Sequence, residues 1–477
     1  MNFLKTLLRV TIIGGLILML LISLLMIRGV VTDRTRYRTE AVQRVSDSMA
    51  GSQQLLGPLR IVPWTLTQEI ETTDTNGRKQ TETRSTSGYL AQAPKTLDVD
   101  GSLKPDTRRI RLYDVRIYEF QSKLKAAFEP YSVAAMPGLR YGDPYIVIGV
   151  EDMRGLVGIP ALRLNGQALM MEPGTGDLGG SFNGMHAMLP STGADATDGQ
   201  AHMLKLAAQE FELDMNLLGT ESLAISPIAD SNRIDLRSSW PHPSFLGRFL
   251  PNERHIDAGG FTAHWEISSL ASNAFAQVAG PAYTRRVSSI TGEENLVVLD
   301  MAAIQETGHW SMPRLSSVDK INVNLVEPVD VYTQADRATK YGVLFVILTF
   351  VAFMLFELIK RLPIHPLQYL LVGLALAIFF LLLLSLSEHM MFWKAYLIAA
   401  AACIVLQFFY LSGVLKSWLR AAGFATMLTA LYGVLYGLLV SEDNSLLMGS
   451  LLLFGVLAAI MALTRKLDWY QITSSLR

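Results

Sequence analysis

The chain has 477 residues and a net formal charge of −1, and 50% of its residues are hydrophobic whereas 17% are charged. A chain so close to neutrality has no excess of positive charge with which to bind nucleic acid, so that class of partner is excluded. Roughly 125 residues fall into long apolar runs, and the remainder contains a polar block large enough for one large domain or two smaller ones.

The single cysteine, Cys403, falls in one of the apolar runs. The polar block therefore has no disulfide and must be held by packing, which a block of about 300 residues can manage. The sequence lacks the phosphate-binding Gly-x-x-x-x-Gly-Lys loop and the His-Glu-x-x-His zinc motif. The stretch Gly179-Gly-Ser-Phe also lacks the glycine spacing of a nucleophile elbow. We therefore expect no catalytic residues, no cofactor and no metal site.

The first apolar run, Leu7–Ile27, is long enough to cross a hydrocarbon core about 30 Å thick at 1.5 Å per residue. The chain continues from it with Arg28-Gly-Val-Val, which is not a signal-peptidase site of the Ala-x-Ala type. We therefore predict an uncleaved anchor helix over residues 1–28. The helical spacing of apolar residues predicts that a short helix continues outward over residues 33–50.

Residues 29–340 show the period-two alternation of half-buried strands. Asn165-Gly166 supplies the positive φ angles of a type I′ hairpin turn. We predict a large, mainly-β, sandwich-like domain with a possible seam in the turn-rich stretch near residues 190–200. We also predict one strand with a slip over residues 110–117, and irregular structure over residues 243–249. The clearest alternating sets are Phe211, Leu213, Met215 and Leu217; Phe261, Ala263, Trp265 and Ile267; and Ile321, Val323 and Leu325.

The segment Trp240–Pro251 is the most unusual part of this block, since its prolines restrict the backbone and three aromatic residues lie close to an imidazole. Two interpretations remain open. In the first, Trp240, His242, Phe245 and Phe249 form a rigid surface that binds a partner protein, a glycan or a lipid headgroup. In the second, the three aromatic residues pin a long connection to the core. Catalysis by His242 is not favoured, because no orienting acid is identifiable.

Five further apolar runs fill residues 341–464, and the loops between them alternate in charge. Basic residues of short loops stay on the cytoplasmic side during membrane insertion, so the acidic loops face away from the cytoplasm. Lys394 is the one exception. Both termini and a tail, residues 465–477, are then cytoplasmic, and residues 29–340 lie outside the cytoplasm. The basic loops contain Lys360, Arg361, Lys416, Arg420, Arg465 and Lys466, and the acidic loops contain Glu388, Glu442 and Asp443.

Polar residues are few within this five-helix membrane domain. Glu388 and His389 form a polar pair at a membrane boundary, either as an acid–base pair or as an interfacial turn that caps two helices. Glu357 is expected to make an interfacial ion pair with the basic loop that follows it. The small residues of Gly433-Val-Leu-Tyr-Gly437 suit close helix packing, either inside the bundle or in a dimer.

Strings of residues along almost the whole chain match those of a known family. They are Gly57-Pro-Leu, Glu172-Pro-Gly-Thr-Gly, Ser239-Trp-Pro-His-Pro-Ser-Phe-Leu-Gly, Asp336-Arg-Ala-Thr-Lys-Tyr341, Phe350 to Glu357, His365-Pro-Leu-Gln-Tyr-Leu-Leu-Val-Gly373, Ser387-Glu-His389 and Leu463-Thr-Arg-Lys-Leu-Asp-Trp-Tyr470. The chain thereby resembles the CreD family of cell-envelope integrity proteins. The resemblance implies a Gram-negative inner-membrane protein with one plus five membrane helices around a large periplasmic domain.

The same resemblance implies expression linked to the CreBC two-component system, and functions tied to envelope integrity, colicin tolerance and responses to β-lactams. It implies no catalytic or binding residue. Our leading hypothesis is a non-enzymatic envelope protein whose periplasmic domain binds an envelope protein, lipid or glycan, while the helices contact membrane lipids.

Two other hypotheses stay open. One is a protein that handles or transfers a lipid or an envelope precursor, which requires an apolar groove in the outer domain. The other is a membrane-embedded hydrolase or transferase, which requires Glu388 and His389 to approach His242 in one pocket.

Overall fold

The computed structural model describes residues 2–73, 79–133, 137–178, 182–190, 204–279, 296–297, 314–325, 331–360, 365–440 and 445–465. The chain divides into two compact units. The helical unit comprises Met1–Thr39 with Pro328–Arg477, and the β-rich unit comprises Glu40–Glu327. Residues 191–200 of the predicted seam lie outside the described residues.

Six long helices form where the apolar runs predict them. Among the described residues, five of these helices are long and apolar enough to cross a membrane, one near the N-terminus and four in the C-terminal part. The sixth is the last helix, with 20 residues. The predicted class, membrane helices with a large mainly-β domain, is confirmed. The helices are α1 (Asn2–Ser48), a short α2 in the β-rich unit (Ala274–Ala279), α3 (Val331–Lys360), α4 (Pro366–Ser387), α5 (Phe392–Val414), α6 (Trp418–Val440) and α7 (Ser445–Thr464).

Twenty strands lie in the described part of the β-rich unit. They are β1 (Gln53–Thr73), β2 (Lys79–Gln92), β3 (Thr96–Ile110), β4 (Tyr113–Phe128), β5 (Tyr131–Val133), β6 (Leu139–Tyr141), β7 (Tyr145–Val150), β8 (Leu156–Leu164), β9 (Gln167–Leu169), β10 (Glu172–Pro173), β11 (Gly184–Met188), β12 (Leu204–Leu206), β13 (Gln209–Thr220), β14 (Ser222–Ile225), β15 (Ser231–Ser238), β16 (Pro243–Gly247), β17 (Glu253–Asp257), β18 (Gly260–Ser268), β19 (Leu296–Val297) and β20 (Ile321–Leu325).

The strands form two large sheets and one small sheet. The nine-stranded sheet has the order β10-β11-β7-β1-β14-β20-β16, with β2 and β6 also paired to β1. The eight-stranded sheet has the order β17-β18-β15-β3-β4-β13-β8-β9, and β12, β5 and β19 form the small sheet. The predicted hairpin is present, because β8 pairs with β9 around Asn165 (φ 48°) and Gly166 (φ 82°).

The two large sheets bury one shared hydrophobic core, as a sandwich does. Ile61 of β1 and Val147 of β7 come from the first sheet, and Phe120 of β4, Leu217 of β13 and Trp265 of β18 come from the second. Along β13 and β15 buried residues alternate with more exposed ones, which is the predicted period-two pattern. The alternation therefore determines which face of each strand enters the core.

The helical unit has its own apolar core, in which α1 takes part. Leu20 and Leu24 of α1 pack with Phe350 of α3 and with α4. Two ion pairs join α1 to other helices, since Arg28 Nε lies 3.4 Å from Asp336 Oδ1 and Arg34 Nε lies 3.2 Å from Glu388 Oε1.

Candidate functional site

The predicted Trp240 segment lies at the edge of the nine-stranded sheet. Residues 243–247 form β16 and pair with β20, so the prediction of irregular structure over residues 243–249 was wrong for this part. Phe245 makes edge-to-face ring contacts with Phe261 and Trp265 at 5.6 and 5.7 Å between ring centroids. The Nε1 of Trp265 donates a hydrogen bond of 3.3 Å to the carbonyl of Phe249. These contacts pin the segment to the core.

Trp240 and His242 lie at the beginning of the segment, before β16. The Trp240 Nε1 donates to the His242 carbonyl at 2.9 Å, and the Arg116 guanidinium lies 4.1 Å from the centre of the Trp240 ring. Trp240, Phe245 and Phe249 are partly buried against the core, whereas His242 is exposed. The structure therefore brings the four predicted residues together, and their binding role stays a prediction.

The predicted polar pair, Glu388 and His389, ends α4 in the helical unit. The Glu388 side chain is only 6% exposed, and the structure pairs it with Arg34. The Nδ1 of His389 lies 3.1 Å from the Ser385 carbonyl oxygen in the preceding turn. The first contact joins this helix end to α1, and the second lies within the helix end itself. The two roles predicted for the pair, acid–base pair or capping turn, stay predictions. Arg34 was not predicted as a partner, since it lies more than 350 residues earlier in the sequence.

Two other predictions for the helices can be compared with the structure. The Tyr369 hydroxyl donates a hydrogen bond of 2.6 Å to Glu357 Oε2, while the basic loop residues 361–364 lie outside the described residues. At Gly433 a Cβ atom would meet open space, with no described atom within 4 Å. At Gly437, the other glycine of the predicted pattern, a Cβ atom would lie 3.2 Å from the Met448 side chain of α7. Among the described residues, close packing therefore occurs at Gly437 and not at Gly433.

A polar pocket of about 600 Å³ lies in the β-rich unit. It is formed where β1 begins, where β7 leads into β8, and at neighbouring ends of β14 and β20. We call it the polar pocket. The residues that line it are Gly51, Ser52, Gln53, Gln54, Glu151, Asp152, Arg154, Asn183, Ser222, Ala224, Ser316, Lys320 and Asn322.

Gln53 fixes one wall of the pocket. Its buried side-chain amide donates to the carbonyls of Asp152 and Leu218 at 2.9 and 2.8 Å, and its Oε1 accepts a hydrogen bond from the Asp152 N–H at 3.1 Å. Because every polar atom of this amide has a partner, the side chain is held in one orientation. The backbone of residues 152–154 is thereby positioned against β1 and β13.

Asp152 and Arg154 form a bidentate pair beside this wall. Arg154 donates through Nε at 2.9 Å and through Nη2 at 2.6 Å, and this hydrogen bonding holds the pKa of the Asp152 carboxyl below its ordinary value. Arg154 also donates to the carbonyls of Ser46 and Asp47 at the end of α1. It therefore satisfies carbonyls that the last helical turn leaves without a helical partner.

Lys320 occupies the opposite side of the pocket. Its Nζ donates to Gln54 Oε1 at 2.9 Å and to the Ser316 carbonyl at 3.1 Å. Burial lowers the pKa of Lys320, and the negative charge of Glu151 opposes that change. Near it, Asn322 Oδ1 is shut off from solvent and has no hydrogen-bond partner among the described residues.

The lining determines what the pocket can hold. Amides, hydroxyls and charged groups line it, and Ala224 is its one apolar side chain among the described residues. Such a surface suits a hydrophilic ligand better than an acyl chain, because its polar groups would lose their solvation against hydrocarbon. No group of three or more His, Cys, Asp or Glu residues that could hold a metal ion occurs in the described ranges.

Sequence reasoning did not find this pocket. Its residues come from segments around positions 51–54, 151–154, 222–224 and 316–322, and no motif or spacing joins them. Each segment reads as a strand end or a turn when taken alone.

Comparisons with known proteins cover nearly the entire chain. The sequence profile of the family described as "Inner membrane protein CreD" matches residues 5–470. The inner membrane protein CreD of Escherichia coli (strain K12) is 37% identical over 465 residues, which are 97% of this chain and 93% of that protein.

Solved structures add little to this. A crystal structure of an M1 zinc metallopeptidase from Deinococcus radiodurans has a TM-score of 0.18 and 11% identity, over 36% of this chain and 38% of that chain. A match with so low a TM-score supports no conclusion about fold or function. By the sequence matches, the chain is a multi-pass inner-membrane protein and belongs to the CreD family.

Proposed function

We propose that this protein is a non-enzymatic envelope protein whose β-rich unit lies in the periplasm and binds an envelope component in the polar pocket. The observation that carries the proposal is the pocket itself, a hydrophilic cavity of about 600 Å³. Its walls are held by the hydrogen bonds of Gln53 and by the Asp152–Arg154 pair. A cavity with fixed walls binds a ligand at a lower cost in conformational entropy.

The proposed orientation of the protein in the membrane is supported by the charges of the loops between the helices. Lys and Arg follow α3, α5 and α7, whereas acidic residues follow α4 and α6. With the basic loops in the cytoplasm, both termini are cytoplasmic and the β-rich unit is periplasmic.

A non-catalytic role is supported by the hydrogen bonds that the charged residues of the pocket already make. Asp152 is bonded to Arg154, and Lys320 is bonded to Gln54 and Ser316. The lining has no pairing of a nucleophile with a base and an orienting acid among the described residues. Family membership supports a role in envelope integrity and in tolerance of antibiotics or colicins.

The alternative, handling or transfer of a lipid or envelope precursor, requires an apolar groove. The described cavity is polar, so it supports binding of a hydrophilic group over enclosure of an acyl chain.

The test is co-purification of the full-length protein with native lipids, followed by mass spectrometry. The pocket variant combines Glu151→Gln with Lys320→Met. A matched surface variant combines Glu253→Gln with Lys104→Met, two exposed residues of the β-rich unit, and makes the same charge changes. We expect a specific envelope component with the wild type and the surface variant, and its loss from the folded pocket variant.

A His242→Ala variant tests the exposed member of the Trp240 segment in the same experiment. Loss of the component from this variant would move the binding site to that segment. Identical material in all four preparations would contradict binding in the pocket.

A further inference from the structure

The polar pocket contains two acidic and two basic side chains, and only one acidic and one basic side chain form an ion pair with each other. Asp152 and Arg154 neutralise each other through their bidentate pair. Glu151 and Lys320 remain, and among the described residues they do not form a direct ion pair with each other. The two side chains therefore line the same cavity without a direct ion pair, and the negative charge of Glu151 acts on Lys320 from a distance.

A single residue, Gln54, bonds to the Lys320 ammonium group and to the backbone of Glu151. Its side-chain oxygen accepts a hydrogen bond from Lys320 Nζ at 2.9 Å. Its carbonyl accepts one from the Glu151 N–H at 3.1 Å. The Glu151 carbonyl also accepts a hydrogen bond of 3.0 Å from Asn183 Nδ2. Gln54 thus holds the Lys320 ammonium group through its side chain and the Glu151 backbone through its carbonyl, while the Glu151 carboxylate is exposed at the pocket.

Lys320 retains the capacity to bind an anion. An ammonium group has three donors, and the structure uses two of them, for Gln54 and Ser316. The third can donate to a ligand. Because burial removes water from this charge, an anionic partner would replace lost solvation. On the other side, the exposed Glu151 carboxylate can accept from a cation.

A neutral amide lies in the same lining. The Oδ1 of Asn322 is closed to solvent and lacks a partner among the described residues, as does the Oδ1 of Asn324 two positions on along β20. Alternate residues of a strand share one face. Because the Asn322 oxygen has no accessible surface, Asn322 contributes a neutral amide to the lining and no acceptor that a ligand in the cavity could reach.

We propose that the polar pocket binds a zwitterionic molecule, with an ammonium group at Glu151 and an anionic group at Lys320. This inference rests on the proposed function, since it names the class of envelope component. A cavity of about 600 Å³ has room for a molecule of up to short-peptide size. Two sources offer this chemistry, a peptide with free ends and a lipid headgroup with phosphoethanolamine.

The experiment is calorimetric titration of the full-length protein in a non-ionic detergent. The probes are alanyl-alanine, its N-acetylated form, its C-terminal amide, and phosphoethanolamine. Removing a charged hydrogen-bonding group from a ligand costs about tenfold or more in affinity. We therefore expect the acetylated and the amidated dipeptide each to bind at least about tenfold more weakly than the parent.

The variants assign each ligand group to a residue. Glu151→Gln should remove the preference for the free amine, and Lys320→Met should remove the preference for the free carboxylate. Glu253→Gln and Lys104→Met should leave both preferences intact. If the dipeptide binds and phosphoethanolamine does not, the natural ligand is a peptide. If only phosphoethanolamine binds, it is a lipid headgroup. Either result supports a zwitterionic ligand.

Two results would overturn the proposal. One is equal affinity for the parent and the blocked dipeptides, and the other is no heat of binding with any probe. If no probe binds but a co-purified component is still lost from the pocket variant, the ligand class is wrong and the proposed function stands. If co-purified material is unchanged in that variant, the proposed function itself fails.

Discussion

Arg60 illustrates how single residues hold the β-rich unit together. It is 0% exposed, and the acceptors that the structure gives it are neutral oxygens of Gln92, Gln209, Ala207 and Glu129, the last two being backbone carbonyls. Burial lowers the pKa of its guanidinium to about 10, so it is still charged at neutral pH. One cation therefore joins β1 to three other parts of the chain.

We predict that Arg60→Met destabilises the β-rich unit by about 3–5 kcal/mol, because buried acceptors lose a charged donor. Thermal unfolding of the full-length protein in detergent, followed by tryptophan fluorescence, measures this. The control is Arg233→Met, whose exposed pair with Glu266 contributes about 0–1 kcal/mol. Equal melting temperatures for the two variants would contradict the assigned role.

His264 offers a prediction that depends on pH. Its Nδ1 lies 2.7 Å from Asp235 Oδ1, directly across the β15–β18 ladder, and this hydrogen bond raises the pKa of His264 above 6.5. A raised folded-state pKa adds stability below the unfolded value, and that stability is lost as pH rises through the folded value.

His264→Gln should therefore lower the melting temperature at pH 5.5 and leave it nearly unchanged at pH 8.5. The effect should be under about 1 kcal/mol, because the pair is near solvent. Asp235→Asn should produce the same pattern in the same melting experiment. A loss of stability of the same size at both pH values would show that packing, and not the charge, is responsible.

At the scale of elements, α1 is a packed member of the helical unit. A Cβ atom built on Gly373 of α4 would overlap Leu20 of α1 and lie 2.9 Å from the Phe350 ring of α3. The side chains of Leu20 and Phe350 therefore pack directly against the backbone of Gly373, and close approach at a small residue is typical of membrane helix packing.

Gly373→Val should consequently destabilise the helical unit, and Leu20→Ala in the same chain should restore part of the loss by making room. Thermal aggregation of the detergent-solubilised protein measures both. Gly433→Val is the matched control, because a Cβ there meets open space among the described atoms. An equal effect of the two glycine substitutions would argue against a specific α1–α4 contact.

Two predictions of strand bounds from the sequence were wrong, one because of a turn and the other because of strand pairing. The strand predicted over residues 110–117 was wrong, because a turn at Arg111, with φ 56°, separates β3 from β4. A non-glycine residue in that conformation gives no signal in the sequence. The error at residues 243–247 has a related cause. As an edge strand, β16 tolerates a proline that would weaken a central strand.

At the scale of the whole molecule, the alternating loop charges predict a testable topology. A cysteine introduced by Glu253→Cys, in a Cys403→Ser background, should react with a membrane-impermeant maleimide in intact spheroplasts. A cysteine introduced by Lys416→Cys should react only after permeabilisation. Both positions are exposed, so access to the reagent depends on the side of the membrane. If only the Lys416→Cys variant were labelled in intact spheroplasts, the orientation would be the opposite of the one predicted.

The sequence by itself determined the membrane helices, the alternating strands, the Asn165-Gly166 hairpin and the family. These depend on hydrophobic period, run length and local turn chemistry, which involve residues close together in the chain. The tertiary structure alone decided the partners of Arg60, the ion pair of Glu388 with Arg34, and the polar pocket. The Lys320–Gln54 hydrogen bond joins residues 266 positions apart. Contacts at such separations arise from the order and register of strands, which no local pattern in the sequence specifies.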